Sequence, residues 1–313
     1  RGEQRDQRRL ARRRHALGRS ERGQPLLQRA EKVREALHAK GTEQRSVHRP
    51  HDEPVLQRVS RPRRSLRPIG QDPPAAMGSA RHVGRLMAED LIEIGITADC
   101  LPVLDVPQAG AHDVIGNRAY SLHIEHVMAL ARAHTAGLMD GGVLPVMKHI
   151  PGHGRSEVDS HHNLPVVNAK RQELEQVDFP PFAAFADAPM AMTAHVIYSA
   201  LDKTAPATLS RKIIKSVIRE QIGFRGLLIT DDLSMKALSG TFEEKCTMAL
   251  KAGCDMLLHC NGVLSEMREV AAAAGELKGK AMRRAKLALK SARKPQAYDK
   301  KAALKDLDLV VSA

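Results

Sequence analysis

Gly226-Leu-Leu-Ile-Thr-Asp-Asp-Leu-Ser234 sets a short apolar run directly against two adjacent carboxylates. Such a run, bounded by a glycine and a polar pair, reads as a strand covered on both faces, the kind that parallel sheets use. The same texture recurs on either side of it. Cys100 to Asp105, Val143 to His149, Met190 to Ala194 and Met256 to Leu258 are further short apolar runs. Helical patterns fill the gaps. Val83, Leu86, Met87, Leu91 and Ile94 share one face over residues 80–94, which Gly95 ends. Residues 122–140 read as a helix stopped by Gly141-Gly142. Ser210 caps a helix carrying Ile213, Ile214, Val217 and Ile218, with Gly223 at its end. Thr241 and Glu244 form a capping box for another, closed by Gly253. Strand starts near 101, 143, 190, 227 and 255 are spaced as repeated βα units. The expected fold class is therefore α/β with a parallel sheet, either open or closed as a (β/α)8 TIM-type barrel. Beyond residue 264 only helical pattern and a Lys-rich tail remain.

In both architectures chemistry collects at the carboxyl ends of the strands. Asp105, Lys148-His149, His195, Asp231-Asp232, His259 and Asn261 all fall there. One such group reads as a helix cap; polar groups at all five ends favour a shared site.

The chain has 313 residues and a net charge of +13, with 42% apolar residues, 3% aromatics and no Trp. The charge is local. Residues 1–70 carry 20 Lys+Arg against 8 Asp+Glu, whereas residues 71–313 carry 29 against 28. Of those first 20 basic residues 18 are Arg, and the first aromatic of the whole chain is Tyr120. Only Leu26 to Leu37 offers a short helix in that segment. Its composition buries too little apolar surface to offset ordering entropy, so residues 1–72 are expected to be disordered. Arg clusters bind phosphate, but no recognition module accompanies this arm and no aromatics for base stacking do either. No nucleic-acid partner is expected. No run of 18 apolar residues and no leader pattern is present, so no membrane association is expected. The cysteines Cys100, Cys246, Cys254 and Cys260 form no C-x-x-C pair and read as buried free thiols in a reducing cytoplasm.

The densest polar cluster is Lys148-His-Ile-Pro-Gly-His-Gly-Arg-Ser-Glu-Val-Asp-Ser-His-His162. It starts at a strand end and enters a glycine-bearing loop. Asp159 and His161 lie two apart, so a bend lets the carboxylate hold one imidazole nitrogen, and an Asp-oriented His exchanges protons near neutral pH. Two other readings stand beside this one. The loop is a surface segment with incidental histidines, or His149, His153, Asp159, His161 and His162 hold a first-row metal, although their spacing matches no standard zinc pattern. Asp231, just past a strand, can act as nucleophile toward an anomeric carbon, as general base or as metal ligand; Asp231-Asp232 can equally be a helix cap.

Val217-Ile-Arg-Glu-Gln followed by Gly226 to Ser234 resembles the active-site signature of glycoside hydrolase family 3. Lys148 to His161 resembles the K-H-F-P-G-H-G…D-S-H element of its bacterial β-N-acetylhexosaminidase (N-acetylglucosaminidase) branch, with Ile150 for Phe. Leu101 to Asp105, Ile115-Gly-Asn-Arg118, Ala194-His-Val-Ile-Tyr198 and Gly253-Cys-Asp-Met-Leu-Leu258 follow the same branch, and the likeness spans roughly residues 73–275. The resemblance implies that Asp231 is the nucleophile, His161 the acid/base supported by Asp159, and that Arg118, Lys148 and His149 hold the sugar. It implies a retaining hydrolase removing terminal β-linked N-acetylglucosamine, with N-acetylglucosaminyl-anhydromuramyl peptide or a chitooligosaccharide as substrate. It further implies a cytoplasmic monomer with no metal or organic cofactor.

The likeness has a gap. Family members begin with three further strands, the third ending in V-D-x-E-G-G, and residues 1–72 hold nothing similar; Asp52-Glu-Pro-Val55 is the nearest text. The segment resembles a coding region read in the wrong frame. The expected division is thus 1–72 unlike the family, 73–275 the catalytic barrel portion and 276–313 a helical tail. Three of eight strands are expected to be missing, and a catalytically dead relative is the second functional expectation.

Overall fold

The computed structural model describes residues 72–311, with side chains up to residue 307. The Arg-rich segment, including the helix expected at Leu26–Leu37, lies outside the described residues.

Helix α1 (Pro73–Glu93) starts at its proline pair, ahead of the expected residue 80. Asp72 Oδ1 accepts from Ala75 N at 3.0 Å, and prolines in the first turn forfeit only N–H groups that no intrahelical carbonyl would take. Helix α2 (Ile124–Asp140) ends on Gly141 as expected. The two helices cross at Gly84 and Gly137. A Cβ on Gly137 would stand 2.1 Å from the Arg81 carbonyl oxygen, and one on Gly84 would stand 2.2 Å from that of His134.

Seven strands follow in chain order: β1 (Ala98–Asp99), β2 (Leu144–Ile150), β3 (Val166–Val167), β4 (Met190–Thr193), β5 (Ile197–Tyr198), β6 (Leu227–Asp232) and β7 (Met256–Leu258). Five of them form one sheet in the order β1-β2-β4-β6-β7, with every neighbouring pair parallel. The α/β parallel-sheet expectation holds. β3 and β5 make a small separate parallel pair that the periodicity did not signal. The strand expected over Cys100–Asp105 is corrected. Its ladder stops at Asp99, because Pro102 has no N–H to donate. The run still tracks β2 through Leu104 N to Lys148 O at 2.7 Å and Lys148 N to Pro102 O at 3.0 Å.

Alternation sorts the two sheet faces. Met147, Ala191 and Leu228 join the large core shared with α1 and α2. Val146, Met192, Leu227 and Ile229 point the other way and pack with Ala285 and Ala288. Those alanines sit on α7 (Gly279–Lys290), which therefore covers the second face of the sheet. Between strands run a helical stretch α3 over residues 171–184, α4 (Ile213–Gln221, with π-type turns), α5 (Phe242–Ala252) and α6 (Leu264–Ala274). Ser210 Oγ accepts from Ile213 N at 3.1 Å, and both halves of the Thr241–Glu244 capping box are formed. Helix α8 (Lys300–Val311) lies against α1. Among the described residues no helix is long and apolar enough to cross a membrane.

Edge strand β1 carries an electrostatic load. Asp99 is buried and its Oδ2 has no hydrogen-bond partner. Burial pushes its carboxyl up from 3.8 to about 6, against the opposing pull of the Lys148 charge and the Cys100 N–H.

Two outcomes follow from this packing. Gly137→Ala forces backbone apart at the α1–α2 crossing and is expected to destabilise by about 2 kcal/mol, lowering the melting temperature by several degrees; an unchanged transition would contradict the close approach. For Asp99, a carboxyl raised in the folded state adds stability at low pH that is lost as pH rises toward 6. Asp99→Asn is expected to gain up to about 3 kcal/mol at pH 7 and close to none at pH 4, read from paired denaturant titrations. A gain independent of pH would count against the assignment.

Candidate active site

Strand β6 ends on Asp231 and Asp232, and the two carboxylates do different things. Asp232 Oδ1 accepts from Ser234 N at 2.9 Å and Cys260 N at 3.1 Å, and Oδ2 accepts from Ser234 Oγ at 2.6 Å. It ties the end of β6 to the end of β7. Asp231 has one internal bond, from the Asp232 N–H at 2.8 Å, and lines a cavity of about 250 Å³. The next helix starts at Phe242 and is capped by Thr241, so neither aspartate is a helix cap. Enclosure disfavours charge on Asp231. The charges of His149 and His195, the Asp232 N–H and Lys148 outweigh it, and the carboxyl is held below its ordinary value.

The floor beside it is built on Asp105, which is 0% exposed. Asp105 Oδ2 accepts from His149 Nδ1 at 2.6 Å, and Oδ1 accepts from the His149 and His153 backbone N–H groups at 3.2 and 2.7 Å. These partners overcome the burial penalty and hold the Asp105 carboxyl at about 2. A carboxylate only accepts, so His149 Nδ1 carries the proton and Nε2 is left to the cavity. Gly154 follows so close to Val106 that a Cβ would stand 2.1 Å from its carbonyl oxygen.

His195 is buried behind Asp231. Its Nε2 donates to the Asp232 carbonyl at 3.0 Å and its Nδ1 meets the Thr208 hydroxyl at 2.7 Å. Burial lowers its pKa against the raising pull of the Asp231 charge, and its two bonded nitrogens make it a support for the end of β6. On the opposite wall the expected Asp159–His161 pair is formed, with His161 Nδ1 2.7 Å from Asp159 Oδ1 and the His161 N–H on the same oxygen at 2.8 Å. Partial burial raises and these two bonds lower the Asp159 carboxyl, which ends below its ordinary value. The His161 side chain is 57% exposed. Nδ1 is engaged by the carboxylate, leaving Nε2 to exchange a proton.

The cavity is lined by Arg118, Lys148, His149, His161 and Asp231 together, so five of the six residues singled out in the sequence meet, with Asp159 behind His161. Arg118 sits on the short turn Gly116–Arg118 and donates to the Val114 carbonyl at 2.6 Å. Lys148 has no ion-pair partner among the described residues.

The broader strand-end set divides. Leu258 lines the cavity, so the next residue, His259, turns away by alternation and packs edge-on against Phe242 at 5.1 Å. Asn261 Oδ1 accepts from Val263 N at 2.9 Å and turns the chain into α6. Neither reaches the cavity, contrary to a site shared by all five ends. The metal reading fares no better: among the described residues no three His, Cys, Asp or Glu side chains are placed to hold an ion. The thiols also differ from expectation. Cys246 and Cys254 are buried, but Cys260 is exposed and Cys100 half-buried, and both line the cavity. Sequence reading missed Met192 and Ser160 as lining residues, and named His153 only as a metal ligand. Met192 was reachable by alternation from the strand, and Ser160 lies between two residues already named.

Residues 69–291, more than half of the chain, match the Glycosyl hydrolase family 3 N terminal domain. A beta-hexosaminidase of Alkalilimnicola ehrlichii is 42% identical over 195 residues, covering 61% of this chain and 56% of that protein. One of Chromobacterium violaceum is 43% identical over 190 residues, covering 59% and 53%. The chain thus spans just over half the length of these curated relatives. Among solved structures, NagZ from Neisseria gonorrhoeae in complex with N-trifluoroacetyl-D-glucosamine aligns at a TM-score of 0.66 and 33% identity, over 76% of this chain and 70% of that one. A family 3 beta-N-acetylglucosaminidase from Paenibacillus aligns at 0.62 and 28%, over 76% and 45%. By its sequence match and by the sheet that carries its carboxylates, this chain belongs to glycosyl hydrolase family 3.

Proposed function

We propose that the chain is a retaining β-N-acetylhexosaminidase in which Asp231 attacks the anomeric carbon of a terminal β-linked N-acetylglucosamine. His161, oriented by Asp159, gives its Nε2 proton to the departing oxygen. The bond from sugar to aglycone breaks as the ester to Asp231 forms. The now basic His161 takes a proton from water, whose oxygen displaces Asp231 and restores the β configuration. Arg118, Lys148 and His149 hold the sugar hydroxyls and acetamido group. One observation carries the reading: a carboxylate kept ionised and an Asp-held imidazole line one small cavity at the strand ends. The N-acylglucosamine held by the Neisseria relative supports the sugar class.

The five-stranded sheet is read as part of a (β/α)8-type barrel. Residues 73–275 form its catalytic portion and 276–313 a helical tail, with 1–72 unlike the family. The proposed substrates are N-acetylglucosamine-containing muropeptides or chitooligosaccharides, acted on in the cytoplasm by a monomer without metal or organic cofactor. The second reading is a catalytically dead relative, because residues 1–72 hold nothing similar to the V-D-x-E-G-G strand end.

Release of a chromophore from an aryl N-acetylglucosaminide separates the two. Asp231→Ala is expected to lower kcat at least about 10³-fold, and NMR of the first-formed sugar is expected to show the β anomer. Equal release by wild type and variant would establish the dead relative, and an α first product would exclude the retaining path. The pH profile gives a third expectation. Asp231 must be ionised, and its carboxyl is held below the ordinary value. The acid limb of kcat/KM is therefore expected below about 4, the unperturbed Asp value; a limb above 5 would sink the assignment.

A further inference from the structure

The loop after β2 has two halves of different kind. Residues 151–154 are fixed. The His153 N–H is held by Asp105, the Gly152 carbonyl accepts the Tyr198 hydroxyl at 2.6 Å, and Gly154 is seated on Val106. Residues 157–163 face outward: Glu157, His161, His162 and Asn163 are exposed, and Val158 and Asp159 half-buried. Ser160 is the exception at 3% exposure. Its hydroxyl lies 3.2 Å from His153 Nε2.

A serine gains little from apolar burial, and an unbonded buried hydroxyl is costly. The burial of Ser160 thus follows from its bond to His153. The bond matters equally to the histidine, because His153 Nδ1 has no partner and Nε2 is its one bonded ring nitrogen. The ring packs edge-on against His149 at 5.5 Å. Burial holds its pKa down to about 4, so it is neutral where a glycosidase of this kind would work. Ser160 is joined by peptide bonds to both Asp159 and His161. Fixing it fixes the pair.

We propose that His153 and Ser160 are positioning residues whose hydrogen bond latches the exposed half of the loop to the Asp105-anchored floor and sets where His161 presents Nε2. This rests on the acid/base role given to His161 above. A latch makes a specific demand on kinetics. Protonation by His161 matters little for a leaving group that departs readily as an anion and increasingly as the leaving group becomes more basic. A merely structural Ser160 would lower all rates alike.

The test compares wild type, Ser160→Ala and Ser160→Thr on aryl N-acetylglucosaminides of graded leaving-group pKa. Hydrogen exchange is followed at the His161, His162 and Asn163 amides, all bonded to Asp159. In Ser160→Ala the deficit in kcat/KM is expected to grow from about twofold with dinitrophenol to about tenfold with methylumbelliferone. The three amides are expected to exchange about fivefold faster, as for one lost hydrogen bond. Ser160→Thr keeps the hydroxyl and is expected to restore both. A deficit uniform across leaving groups overturns the proposal, as does unchanged exchange. If wild type releases no more chromophore than Asp231→Ala, the functional reading fails, and the exchange measurement alone decides whether the latch exists.

Discussion

Asp105 is the interaction on which the site depends. A fully buried carboxylate is unfavourable unless its oxygens are satisfied. Here three donors from two residues converge on it, His149 near the end of β2 and His153 in the loop that follows. The same bonds that keep Asp105 ionised at about 2 fix the His149 ring, anchor His153 and bring Gly154 against Val106. One buried charge thereby sets the orientation of a cavity histidine, the course of the loop and the base from which Ser160 is held. Removing the carboxylate would leave the His149 and His153 N–H groups unpaired in a closed space.

Asp231 owes its ionisation to that arrangement. It stands between His149, fixed from below by Asp105, and His195, fixed by Thr208 and the Asp232 carbonyl. The neighbouring aspartate has the opposite fate. Asp232 spends its oxygens on Ser234 and Cys260 and has become part of the joint between β6 and β7. Two adjacent acids are thus separated by environment into a free carboxylate facing the cavity and a structural one, and pKa tuning of this kind is how one fold assigns distinct tasks to like groups.

Much of this was legible in the sequence, and the reasons are local. Short apolar runs bounded by glycine or polar pairs located β2, β4, β6 and β7, because parallel strands are buried on both faces. Capping residues located α2, α4 and α5. The Asp159–His161 contact needs only a bend between residues two apart. What stayed hidden depends on non-local geometry. The Cys100–Asp105 run looked like a full strand because its apolar pattern was read ahead of the missing Pro102 N–H, and only the pairing with β2 shows where the ladder stops. His259 looked like a site residue because strand-end position does not say which way a side chain turns; only the register that puts Leu258 in the cavity does. The β3–β5 pair is two residues long on each side, too short for any period to register.

The sheet and the site need not share one fate. Every residue proposed for catalysis or sugar binding comes from the carboxyl ends of β2 and β6 or from loops tied to them by backbone bonds, such as Gln108 N to Gly154 O and His112 N to Ser156 O. Its floor is complete within residues 100–260. At the sheet edges, Asp99 on β1 has an unpaired oxygen and a raised carboxyl, and Met256 on β7 is exposed. Between those edges α7 covers the sheet with two alanines, small residues that let a helix approach closely without filling a wide core. A buried unpaired carboxyl on an edge strand acts on global stability. The constellation around Asp231 is over-determined by short-range bonds. Loss of stability at the edges would lower the amount of folded protein before it disturbed the geometry of the site in those molecules that remain folded.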